Sequence, residues 1–114
     1  MTISEVIEEL VTKLRDAGLY ATGDPNEFYP APIGCLVGVP SLRMRGLGNY
    51  LCTVPVHVVC TQALSAELRN ELFESALVAA DVLGVESFNL DGWNGGVNEG
   101  DLPAYLLEAV VQYS

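Results

Sequence analysis

Residues 50–61 read YLCTVPVHVVCT. At a period of two residues this stretch has two faces. Tyr50, Cys52, Val54, Val56, Val58 and Cys60 make one that is apolar throughout. Leu51, Thr53, Pro55, His57, Val59 and Thr61 make the other, which is mixed. The segment therefore reads as the longest strand of a sheet whose apolar face is covered. Pro55 has no N–H to donate, so the strand is expected at an edge or bulged at that residue.

Working upstream, residues 41–49 (SLRMRGLGN) read as a long, flexible hairpin loop carrying Gly46, Gly48 and Asn49. Residues 33–39 (IGCLVGV) read as a buried strand closed by Pro40. Ile33, Cys35, Val37 and Val39 share one of its faces. Gly34, Leu36 and Gly38 share the other, where two glycines predict close approach of a helix or backbone. Residues 20–32 (YATGDPNEFYPAP) hold three prolines and the turn signal Asp24-Pro25-Asn26, and read as a linker without regular structure. The chain opens on a helix: Ile3, Val6, Ile7, Leu10, Val11 and Leu14 form one stripe at helical period. Thr2 and Glu5 make a capping box, early glutamates and late Lys13 and Arg15 suit the helix dipole, and Gly18 is the stop.

Working downstream, a second helix is expected from about Ser65, its N-cap, to Leu83, with Gly84 as its stop. Leu68, Leu72, Phe73, Ala76, Leu77, Ala80 and Leu83 form its apolar stripe. Its second half, ALVAADVL, is apolar nearly all round, so it should be covered on more than one side: a sheet covers one, and a neighbouring subunit could cover another. Residues 85–90 (VESFNL) read as a short strand, 91–101 (DGWNGGVNEGD) as a glycine-rich loop, and 104–113 (AYLLEAVVQY) as a last strand. The order helix, strand, strand, helix, strand, strand in one domain over 1–114 predicts an α+β fold, an α/β sandwich. Its sheet is expected to be mainly antiparallel, with the two helices packed on it.

Composition narrows the function classes. At 114 residues and 50% apolar the chain can bury one real core. No apolar run reaches the roughly 20 residues of a membrane span, and the acidic start MTISEVIEEL lacks the basic opening of a signal peptide. A net charge of −10 argues against binding to a phosphate backbone. The charge is uneven: residues 1–69 hold all five basic and seven acidic residues, a net of −2, while 70–114 hold eight acids and no base, a net of −8. Cys35, Cys52 and Cys60 read as buried free thiols in a reducing compartment. Cys52 and Cys60 are eight residues apart on one strand, about 26 Å, too far for a disulfide. Their spacing and a single histidine do not suit zinc.

No catalytic constellation emerges. His57, the only histidine, has neither a GxSxG nor a Cys–His signature beside it. The oxygen-rich loop with Asp91, Asn94, Asn98, Glu99 and Asp101 does not match a calcium cage, and it matches neither phosphate-binding glycine motif. The expectation is no enzyme, no cofactor and no metal. What stands out is interface chemistry: Arg43 and Arg45 flank Met44 in an otherwise acidic chain, and Trp93, set among glycines, either folds back onto the domain or anchors a partner. Arg43, Met44, Arg45 and Trp93 are the candidate assembly residues.

The helix leading into AGLYATGDPNEFYPAPIGCLVGVPSLR (17–43), the strand YLCTVPVHVVC (50–60), the second helix and the closing PAYLLEAVVQY (103–113) together resemble the small tail terminator proteins of long-tailed bacteriophages, particularly those of actinobacteria. The resemblance spans nearly the whole chain and lies in layout and segment character. It implies an α/β sandwich that assembles as a homo-hexameric ring at the head-proximal end of the tail tube. Such a ring stops polymerisation of the major tail tube protein and docks the head connector or completion protein. It implies location in the virion at the head–tail junction, in the host cytoplasm during assembly, and DNA passing through the lumen without specific binding. The acidic excess suits such a channel. Two other expectations are a head completion or neck protein, and a small-molecule-binding regulatory domain.

Overall fold

The computed structural model describes residues 2–113 apart from 30–31, 47, 63–64 and 94–101, and gives the backbone alone at 45, 49, 93 and 113. The fold is α+β, a mixed six-stranded sheet with two helices. Helix α1 spans Ile3–Asp16, and the short strand β1 is Ala21–Thr22. Strands β2 (Ile33–Val37), β3 (Ser41–Gly46) and β4 (Asn49–Cys60) follow, then helix α2 (Ala66–Leu83), β5 (Asn89–Trp93) and β6 (Leu102–Tyr113). Across the sheet the order is β1-β2-β4-β6-β5, with β3 also paired to β4. The β1·β2 pair is parallel and the other four are antiparallel.

Both helices begin and end where local chemistry dictates. The Thr2 hydroxyl accepts the Glu5 N–H at 3.2 Å, and the Ser65 hydroxyl accepts the Leu68 N–H at 3.1 Å. Gly18 (φ +88°) and Gly84 (φ +68°) take the left-handed turn that ends each helix.

Both helices lie on one face of the sheet, the helix face. Val6, Leu10, Val11 and Leu14 of α1 and Leu72, Ala76, Ala79 and Ala80 of α2 are buried there. They meet Cys35 and Val37 of β2, the even-numbered residues Cys52–Cys60 of β4, and Leu107 and Ala109 of β6. The strand register requires this grouping, since Val54 pairs with Ala109, Val56 with Leu107 and with Val37, and Val58 with Cys35. Phe73, Phe88 and Tyr105 close one end in edge-to-face contacts at centroid distances of 5.2–6.0 Å. The opposite, back face is covered only in part, where Phe28 packs on Leu36, Val59 and Ala104.

The structure corrects four expectations. Within 20–32, residues 21–22 form β1, which pairs in parallel with Cys35 and Leu36, and Pro25–Glu27 form a single 3-10 turn. Residues 41–46 are a strand, β3, rather than loop. The fifth strand starts at Asn89, because Phe88 turns into the aromatic cluster instead of continuing a strand from Val85. The order is therefore helix, four strands, helix, two strands.

The fourth correction concerns Pro55. β4 is an interior strand, paired on both sides, and its ladder with β6 runs unbroken through Pro55 and Glu108. The break is in the neighbour. β2 covers β4 from Cys60 back to Val56, β3 covers it from Thr53 back to Asn49, and residues 38–40 step between them opposite Pro55. The missing N–H thus points into a gap where no strand waits for it. The close approach expected at a glycine occurs here: a Cβ on Gly38 would stand 3.0 Å from Pro55 Cγ, and the Gly38 N–H donates to the Pro55 carbonyl at 2.7 Å.

Candidate assembly interface

β3, the first residues of β4 and the last of β6 form one end of the sheet. The helices pack against β1, β2, β4 and β6, which leaves β3 outside their cover. Both β4 and β6 have twelve residues, about 40 Å of strand, against about 27 Å for α2. Side chains at this end are accordingly exposed: Leu42 is 49% accessible and Met44 72%.

Arg43 and Met44 both lie on β3 and are exposed, but on opposite faces. Arg43 pairs with Leu51 and so faces the back, while Met44 pairs with Tyr50 and Leu42 with Cys52, on the helix face. Arg45 lies on β3 between Met44 and Gly46, where the register with β4 shifts; its side chain lies outside the described residues. Trp93 ends β5 opposite Leu102, and its side chain likewise lies outside them. The structure does not bring Trp93 to Arg43. Measured along β4, Arg43 stands beside Leu51, while Ala104 stands beside Val59 and Leu102 lies further on, a separation of at least about 26 Å. The candidates thus belong to two ends of the sheet.

Sequence reasoning missed the edges. β5 pairs with β6 only from Leu102 to Leu106, so on the side away from β4 residues 107–113 have no strand beside them among the described residues. Among the described residues β3 is likewise paired on one side only. A cleft of about 410 Å³ opens where β5 begins, lined by Leu83, Val85, Glu86, Leu106, Glu108 and Val110. Val110 on this edge is 58% exposed. Nothing in a single strand's periodicity reports whether its neighbour is shorter, so the edge became visible only through pairing.

The remaining candidates have modest surroundings. His57 Nε2 lies 3.8 Å from Asp91 Oδ2 across β6 on the back face, with the carboxylate half exposed. Among the described residues no three His, Cys, Asp or Glu side chains gather as a metal site would require. Cys35, Cys52 and Cys60 are free and buried. Burial pushes the Cys35 thiol up to about 12 from its ordinary value of 9.0. Such a thiol is protonated and unreactive at neutral pH. Among the described residues, no helix is long and apolar enough to cross a membrane.

Compared with known proteins, the chain matches no family model and no curated protein.

Proposed function

We propose that this chain is a structural subunit of a long-tailed phage virion, a terminator-type protein that forms a hexameric ring on the head-proximal end of the tail tube. The ring stops tube growth and presents the surface on which the head connector docks. The observation that carries the reading is the β3–β4–β6 end of the sheet. It projects past the helices with apolar side chains exposed and, among the described residues, both of its edges open. An exposed edge bearing Leu and Met is an aggregation hazard unless assembly covers it. The likeness in layout to tail terminator proteins says which assembly, and the acidic C-terminal portion suits a lumen that DNA crosses without sticking. Phe73, Leu77 and Val78, 39–44% exposed on α2, add apolar surface for a neighbouring subunit.

The test is a capping assay. Purified chain added to polymerising tail tube protein is expected to shorten the tubes and to appear, by gold labelling, at one end of each. Tubes of unchanged length with no label at either end would refute the assignment.

A further inference from the structure

The backbone hydrogen bonds fix which polar groups the open side of β6 presents. In a strand the N–H and C=O of one residue point to the same side, and successive residues alternate. The Gly38 N–H donates to the Pro55 carbonyl, and the Thr61 N–H donates to the Pro32 carbonyl. Odd-numbered residues of β4 therefore address β2 and β3, and even-numbered ones address β6. Through the register (Val54 with Ala109, Cys52 with Val111), odd residues of β6 bond to β4. Glu108, Val110 and Gln112 thus point their N–H and C=O away from β4, on the stretch that β5 leaves unpaired. All three are exposed.

The same stretch borders the cleft where β5 begins. That cleft is lined by residues 83–87, from the end of α2 and its connection to β5, and by Leu106, Glu108 and Val110 of β6. At about 410 Å³ it falls within the size range of ligand clefts. An extended chain laid along 107–113, about 20 Å of strand, passes through it. On the way it meets two carboxylates, Glu86 and Glu108, and the apolar side chains of Leu83, Val85 and Val110. Neither Glu86 nor Glu108 is in a salt bridge among the described residues, where the ion pairs are Lys13 with Glu9 and His57 with Asp91.

No strand of a second copy answers this chemistry. The chain's five cations are Lys13 and Arg15 on α1, Arg69 on α2, and Arg43 and Arg45 on β3. β3 is the strand that carries cations, and it cannot reach this edge. β2 continues the line of β3 along β4, with β1 outside it, so β3 of a second copy laid beside 107–113 would drive its β2 and β1 into β5. Two β6 edges laid together bring no cation to the cleft, since 107–113 reads LEAVVQY. From this we infer that the outer edge of β6 and its cleft are a docking site for an extended basic segment of another protein, which adds to the sheet as a strand. The outward N–H and C=O groups of Glu108, Val110 and Gln112 hold its main chain. Glu86 and Glu108 select Lys or Arg side chains on it, and Leu83, Val85 and Val110 take apolar ones. The site goes beyond the ring reading and does not depend on it: subunits can meet through β3 and α2 while the β6 edge takes the partner.

The test titrates two end-blocked peptides, TKVKVKT and TEVEVET, into the whole chain by calorimetry. The lysine peptide should bind, more weakly as salt rises, and the glutamate peptide should not. At saturation the amides of Glu108, Val110 and Gln112 should exchange at least about ten-fold more slowly than in the free protein, while those of Leu42 and Met44 keep their rates. Glu86→Gln with Glu108→Gln alters two exposed side chains, so the melting temperature should hold while the lysine peptide binds at least about five-fold more weakly. Failure of the lysine peptide to bind, equal binding of both peptides, or binding that leaves the three edge amides at their free rates would overturn the site. So would full affinity in the doubly substituted chain. Protection of the same amides in peptide-free protein as its concentration rises would give the edge to a second copy and overturn the foreign partner. None of these readouts requires a ring, so the peptide site and the capping activity can fail separately.

Discussion

Replacing Gly38 with alanine puts a methyl group where the chain steps from β2 to β3. The new Cβ would lie 3.0 Å from Pro55 Cγ and 3.2 Å from the Pro55 carbonyl oxygen. Neither neighbour gives way easily. The ring carbon belongs to a rigid pyrrolidine in an interior strand, and the oxygen accepts the Gly38 N–H at 2.7 Å. Overpacking of this kind costs about 1–3 kcal/mol. For a chain of this length each kcal/mol lowers the melting temperature by roughly 4 °C, so a fall of about 4–12 °C is expected. Differential scanning calorimetry measures it. Adding Pro55→Ala to Gly38→Ala should recover part of the loss, because the contact with Cγ goes while that with the carbonyl stays. A Gly38→Ala melting temperature within a degree of the parent would refute the account of how Pro55 is accommodated.

Other expectations follow from the same structure. Leu14→Ala and Leu72→Ala, both at fully buried positions where the helices meet the sheet, should each cost about 2–5 kcal/mol in urea denaturation. Ser65→Ala removes the acceptor of the Leu68 N–H and should cost about 1 kcal/mol by the same measurement. Cys35 titrates higher folded than unfolded, so the unfolded chain loses its proton first as pH rises. The stability this thiol contributes is complete below about 9 and is lost as pH climbs towards 12. The decline over that window should be shallower in Cys35→Ala. Arg43→Ala with Arg45→Ala should weaken ring formation or tube binding in sedimentation assays while leaving the monomer's melting temperature unchanged.

The elements governed by local chemistry were legible in the sequence. Thr2 and Ser65 cap their helices, Gly18 and Gly84 end them, and the alternation of residues 50–60 identifies β4 and its buried face. What depended on pairing was not. β1 has two residues, too few for any period, and exists because Cys35 offers its N–H to the Tyr20 carbonyl at 2.7 Å. In 41–46 the alternation of Leu42 and Met44 against Arg43 was present, but Gly46 and Gly48 made the stretch read as loop; β4 supplies the partner that makes it a strand. The rule that sends a proline to a sheet edge presumes an unbroken neighbour, and here β2 and β3 leave a gap opposite Pro55. Composition singled out Arg43 and Met44 as candidates, and both are exposed on β3. Val110 and Glu108 gave no such signal, because their exposure follows from β5 being seven residues shorter than β6.

For the proposed ring, an open strand edge is specific in a way that a greasy patch is not. It fixes distance, direction and register at once, which a ring needs if it is to close at a defined number of subunits.

Native mass spectrometry over a concentration series, with and without purified tail tubes and paired with negative-stain microscopy, tests the ring most directly. The account predicts closed hexamers of the 12.2 kDa chain, alone or on tube ends. A monomer at every concentration that also leaves tube ends bare would contradict it.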